Sequence, residues 1–225
     1  MSKISNKDKA KIGGMFLNDQ DGEAPSMDQR LSTGKVLHLS QGDKVILQNE
    51  DNTQIENISL GIGWSPSAYG EDMDLDASVV VYSNRTYSDL ICFTNLSNSN
   101  RSIVHHRDNL VGSRGKLPDQ NDEDIDVKLN QLNSSIDELY FVVNIYQAYA
   151  KNQSFGTVND LYIRVYSVSN NVKTLKLDFQ IDHGQQNYSG VVIAKMRKSP
   201  RGWTFQAVGK YGNASEPKQM VQYCR

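Results

Sequence analysis

Two acidic clusters hold most of the chemistry this chain offers. Glu71-Asp72-Met73-Asp74-Leu75-Asp76 places four carboxylates in six positions directly before an apolar run, and Asp119-Gln120-Asn121-Asp122-Glu123-Asp124-Ile125-Asp126 places five in eight before another. Like charges this dense repel unless water or shared cations separate them. Asp74 and Asp76 alternate, so at the start of a strand both side chains leave on one side and present hard oxygens of the kind Ca²⁺ takes. Asp72, on the preceding turn, has no such constraint and is expected to be solvated. Between the clusters, His105-His106-Arg107-Asp108-Asn109-Leu110-Val111-Gly112 carries an Asp-Asn turn signature that adds a carboxylate and an amide carbonyl. Three such loops at one end of a sandwich would make a calcium site, and solvated acidic loops are the competing reading of the same residues.

Other chemistries find less support. Asn18-Asp19-Gln20-Asp21-Gly22 has an EF-hand flavour, but the pattern would put Leu17 in the first ligand place. His105 and His106 face opposite sides of any strand and lack further zinc ligands at usual spacing, so surface histidines are expected. The chain contains no Gly-x-Ser-x-Gly elbow, no Cys-x-x-Cys and no phosphate-cradling loop. Nucleophilic catalysis is therefore not expected. Two carboxylates across a cleft would suffice for a glycosidase, so a hydrolase using the acidic loops stays open as an alternative. With 24 basic and 26 acidic residues the formal net charge is −2, which excludes a polybasic nucleic-acid reader. Lys195, Arg197, Lys198 and Arg201 could touch anionic lipid peripherally, as in a calcium-dependent membrane or partner recognition module, or could decorate a solvated hairpin.

The elements that must position these residues are strands. The longest charge-free apolar stretch, 139–150, is 12 residues and includes Asn144 and Gln147, whereas a spanning helix needs about 20. The first dozen residues carry four lysines with no apolar region after them, so a cytoplasmic location is expected. Cys92 and Cys224 read as free thiols. Residues 1–35 break any periodicity with Gly13-Gly14, Asp21-Gly22 and Pro25, and are expected to form a mobile arm ahead of a domain over 36–225. From there, β-branched and aromatic runs recur at 36–39, 44–48, 58–64, 77–82, 89–93, 125–129, 139–146, 161–168, 172–181, 190–196 and 203–208, with turn formers between them. This spacing predicts an all-β, mostly antiparallel sandwich with few short helices. Ile163 to Val168 alternates apolar with polar, as for one buried face. The nearly continuous runs 78–82 and 140–145 predict mid-sheet strands covered on both sides. Residues 134–139 could form one helical turn, and Ser215-Glu216-Pro217 could open a helix to Tyr223. Trp64, Phe155, Trp203 and Phe205 are expected in the core. Arg164 could be a buried charge partner or face outward.

At these residues a family resemblance emerges. Leu60-Gly61-Ile62-Gly63-Trp64, Asp74-Leu75-Asp76-Ala77-Ser78, Asp108-Asn109-Leu110-Val111-Gly112 and Asn121-Asp122-Glu123 resemble, in order, motifs of the TerD family of tellurite-resistance and general stress proteins. Gln153-Ser154-Phe155-Gly156 followed by Ile163-Arg164, and then Trp203-x-Phe205-x-Ala207-x-Gly209, extend the match over about Val36 to Gly212. The resemblance implies a C2-like β-sandwich that binds calcium through its acidic loops and is not an enzyme. It further implies an adaptor role, with other stress or tellurite-resistance proteins as partners. Carried over position by position, it implies Asp74, Asp76, Asp108, Asn109, Asn121, Asp122 and Glu123 as the ligands of Ca²⁺. Three departures stand out: Val111 replaces a family threonine, Asn121 replaces an aspartate, and the loop 113–120 is longer and holds Arg114, Lys116 and Pro118. One lost carboxylate and two nearby cations imply weaker affinity, or one ion rather than two.

Overall fold

The computed structural model of the protein describes residues 36–49, 51–65, 73–106, 110, 121–181 and 187–225. Among them, twelve strands form two six-stranded sheets. The first sheet runs β1 (Leu37–His38), β10 (Val172–Gln180), β9 (Asn159–Ser169), β3 (Asn57–Ser65), β7 (Glu123–Lys128), β6 (Ile103–His105). The second runs β2 (Lys44–Ile46), β12 (Gly202–Gly212), β11 (Gly190–Ser199), β8 (Ile136–Ile145), β4 (Leu75–Ser83), β5 (Thr86–Ile91). Every pairing is antiparallel except that of β1 with β10. The inner faces supply one core, to which the first sheet gives Leu60, Ile62, Ile163 and Val165 and the second gives Val79, Leu139, Phe141, Ile193 and Phe205. Period-2 burial of this kind follows from side chains alternating across each strand. Trp64, Phe155, Trp203 and Phe205 are all core residues, as expected.

The expected antiparallel sandwich is what forms, with corrections in detail. Residues 134–139 make no helical turn: Ile136 already opens β8. β6 is an additional strand, pairing Ile103 to His105 with β7 in a stretch read as loop. The helices are short: α1 (Ala148–Lys151) and 3₁₀ turns at Leu129–Gln131, Phe155–Thr157 and Pro217–Tyr223. The last begins with Pro217 after Glu216, without the side-chain cap expected from Ser215. The predicted arm 1–35 lies outside the described residues. Among the described residues no helix is long and apolar enough to cross a membrane.

β4 and β8 are mid-sheet, and their continuous burial has a local cause. The C-terminal segment lies over the outer face of the second sheet, where Val80, Tyr82, Tyr140, Val142 and Val192 meet Ala214, Met220 and Cys224 in a second apolar cluster. Room for it comes from paired glycines. A Cβ on Gly190 would lie 2.3 Å from Met220 Sδ, and one on Gly212 would lie 2.4 Å from the Tyr223 ring. Beside this cover, Glu138 accepts a charge-assisted bond from Lys195 at 3.0 Å, with Arg225 at 3.5 Å and Arg197 at 3.7 Å. Lys195 and Arg225 also stack over the rings of Tyr140 and Tyr82. Burial works to raise the Glu138 pKa, but the Lys195 bond and the three cations outweigh it and hold the carboxyl below its ordinary range. Burial pushes the Cys224 thiol up to about 12. Both cysteines are free and buried.

Candidate functional site

The end of the sandwich where β3 stops and β4 and β7 start gathers the described residues of the two acidic clusters. The Trp64 indole holds it together, donating Nε1–H to Met73 O at 3.0 Å while the Trp64 backbone N–H donates to Asp122 Oδ2 at 3.1 Å. Asp122 N–H in turn donates to Ile62 O at 2.7 Å. Asp122 thus grips β3 on both sides of Gly63 with backbone and side chain, standing in for ladder rungs that β7 does not reach.

Glu123 does a similar job across the two sheets. β5 begins to pair with β4 only at Val79, which leaves Ala77 with an open edge on that side. Glu123 Oε2 accepts the Ala77 N–H at 2.6 Å, and His105 Nε2 lies 3.2 Å from Ala77 O. A carbonyl only accepts, so the ring carries its proton on Nε2 for this bond. The same nitrogen is 3.7 Å from Glu123 Oε2, with both side chains 1% exposed. One residue of the second sheet is therefore held, through its N–H and its C=O, by two side chains of the first. The expectation of surface histidines is corrected here. His106 is half-exposed beside Asp126, but His105 is buried, because β6 turns it into the sandwich. Its place after Ile103 and Val104 in a short apolar run was the available signal.

Asp76 takes another direction. In the second sheet Leu75, Ala77 and Val79 point into the core, so Asp76 and Ser78 point to the outer face. There Asp76 pairs with Asn144 of β8, whose Nδ2 donates to Asp76 Oδ2 at 3.1 Å. Asp74 lies just before β4, its carbonyl accepting Tyr146 N–H at 2.8 Å. Asn121 covers the outer side of β3, donating from Nδ2 to Asp124 Oδ1 at 2.8 Å. A Cβ on Gly61 would fall 1.9 Å from that Asn121 amide, and one on Gly63 would fall 2.1 Å from the Tyr162 hydroxyl, which is why β3 carries two glycines. Arg164, whose side chain was open to two readings, stacks over the Tyr162 ring at 4.2 Å. Burial pushes the Tyr162 hydroxyl up to about 12, with Arg164 opposing and Asp122 adding to the rise.

Five of the seven candidate ligands are therefore at one end of the molecule, and all five are buried: Asp74, Asp76, Asn121, Asp122 and Glu123. Asp108 and Asn109 lie outside the described residues, as does Asp72. The oxygen chemistry of the set suits a hard cation. Among the described residues, however, no three His, Cys, Asp or Glu side chains close around one point. A separate cleft of about 720 Å³ opens near β1, lined by His38, Gln41, Asp178, Gln180 and Tyr211, and contains none of the candidate ligands.

The family model of the TerD domain matches residues 36–222. A tellurium resistance protein TerD of Serratia marcescens is 32% identical over 179 residues, covering 77% of this chain and 90% of that one. General stress protein 16U of Bacillus subtilis is 28% identical over 180 residues, with the same coverage. Among solved structures, a homologue of the telluride resistance protein TerD from Streptomyces coelicolor superimposes with a TM-score of 0.58 at 16% identity, covering 74% of this chain and 95% of that one, and so supports the fold. The family match spans nearly the whole described sandwich, the acidic end included, and the chain belongs to the TerD family.

Proposed function

We propose that this protein is a calcium-binding module of the stress and tellurium-resistance type, working in the cytoplasm by binding rather than by catalysis. The observation that carries the reading is the burial of four carboxylates, Asp74, Asp76, Asp122 and Glu123, each no more than 8% exposed, at one end of the sandwich. Burying carboxylate charge is costly unless it is compensated, and one divalent cation compensates several at once. Asn121, which the structure places on the outer side of β3, and Asp108 and Asn109 are the further donors expected from sequence. The names of the relatives support a role in stress or tellurium resistance. Other proteins of those systems are its proposed partners.

Isothermal titration of the metal-free chain with CaCl₂ tests this. Binding is expected in the parent and lost in Asp76→Ala, and the variant is expected to melt below the parent in EDTA, because the buried Asn144 amide loses its acceptor. Absence of calcium heat in the parent would sink the reading.

A further inference from the structure

We infer that the cleft between β10 and β12 is a binding site for a neutral polyhydroxylated ligand, a sugar or polyol. It contains none of the calcium candidates and does not depend on the calcium reading.

The cleft exists because the chain crosses there from one sheet to the other. Leu39 N–H donates to Asp178 O at 3.0 Å beyond the two residues that pair β1 with β10, and the chain then turns away. Ser40 N–H to Asp43 Oδ2 at 2.6 Å and Gly42 N–H to Ala207 O at 2.8 Å set the turn and deliver the chain to β2, beside β12. Two strand ends are left facing the gap. Gln180 has the same parity as Asp178 in the ladder with β9, so its main-chain N–H and C=O point the way Asp178 O does, past the end of β1. Opposite it, β12 bulges against β11 between Ala207 and Lys210, with Gly209 at φ 67°. Gln41 donates from Nε2 to the Gly209 carbonyl at 3.2 Å and ties the crossover to the bulge. The volume enclosed, about 720 Å³, lies within the range of ligand sites, roughly 300–1,000 Å³.

The lining selects the ligand class. The floor is the edge of the core, Leu39, Phe179 and Ile181, each no more than 7% exposed. The Tyr211 ring lines the cleft from β12 and is fixed by Phe155 and Tyr188, at 5.9 and 6.1 Å between ring centres. Polar groups complete it: the Gln41 and Gln180 amides, the Ser40 hydroxyl, and Asp178 with His38 3.8 Å away. Among the described residues that line the cleft there is no lysine or arginine, so an anionic ligand would meet the Asp178 charge with no permanent cation to offset it. A purely apolar ligand would strip water from the amides and the carboxylate without replacing their bonds. A sugar answers both parts of the lining. Its C–H face covers the aromatic ring and the apolar floor, while its hydroxyls, each a donor and an acceptor, match amides that do both and a carboxylate that accepts.

The test is an amide-correlation NMR titration of the full chain in EDTA, where calcium plays no part. The neutral probes are glucose, galactose, mannose, maltose, trehalose and glycerol, and the charged ones are inorganic phosphate and spermidine. At least one neutral probe is expected to shift the Gln41 and Gln180 side-chain amide signals and the Gly209 amide signal to saturation. Gln180→Ala, at an exposed position, is expected to weaken that binding about tenfold, the worth of one lost hydrogen bond, with an unchanged melting temperature. Asp178→Asn is expected to weaken it at least as much. A response confined to spermidine or phosphate would make this a site for a charged ligand and overturn the inference. Silence across the neutral probes would overturn it too, as would shifts that neither variant weakens, and in each case the calcium reading would stand or fall on its own titration.

Discussion

Glu138, beneath the C-terminal segment, and the Asp76, Asp122 and Glu123 group at the acidic end are all buried carboxylates, but the two regions meet the cost of burial differently. Glu138 is ringed by Lys195, Arg197 and Arg225, cations of its own chain, and its pKa is held down. At the acidic end, neutral groups donate some of the bonds that fix the carboxylates: Trp64 N–H to Asp122, Ala77 N–H to Glu123 and the Asn144 amide to Asp76. Neutral donors of this kind orient a carboxylate without cancelling its charge. One region is fastened by cations of its own chain, and the other is where we propose that calcium binds.

The fastening should show the largest effect. Met220 is fully buried over Gly190, and Met220→Ala should cost about 2–5 kcal/mol in urea unfolding through the cavity it leaves. A cost below about 1 kcal/mol would mean the segment only rests on the sheet, and the contrast between the regions would weaken. The acidic end should respond to metal instead. Calcium at a hundredfold excess over Kd should add about 2.7 kcal/mol to the parent, seen as a higher melting temperature than in EDTA. Glu138→Gln should leave that calcium shift intact, and coincident loss of it would show that the regions are coupled.

Glu138→Gln itself should cost about 1 kcal/mol near neutral pH, discounted because Arg197 and Arg225 are about half exposed. Its pH dependence has a definite sign. The folded carboxyl is held below its ordinary range, so the stabilisation is present above about pH 4.5 and fades as the pH falls through the folded value. The acid limb of the parent stability curve should therefore flatten in the variant. Cys224 gives the smallest and opposite effect. Its thiol is pushed up to about 12, so stability holds below the ordinary thiol range and declines as the pH rises from about 8.5 toward 12. Cys224→Ala should remove part of that alkaline loss, and a thiol reagent at pH 8 should leave Cys224 unmodified in the folded parent.

Much of this architecture was legible in the residues. Alternation in Ile163 to Val168 and the apolar runs of β4 and β8 determined strands and their mid-sheet rank, since a buried strand leaves no other pattern. The acidic clusters could be seen at the starts of β4 and β7 before any geometry was known. Other features were decided only by the tertiary structure. Three residues are too few for a periodic signal, so β6 and the burial of His105 depend on pairing with β7. The need for glycine at 61 and 63 arises from Asn121 and Tyr162 lying across β3 from segments far along the chain. The sequence singles out Glu123 only as a metal-ligand candidate, and its bond to Ala77 follows from β5 stopping short and leaving that N–H to be capped across the sandwich. Local residue types set which segments extend and where charge accumulates, but which backbone groups go unpaired, and so which side chain must answer them, is fixed only when distant strands meet.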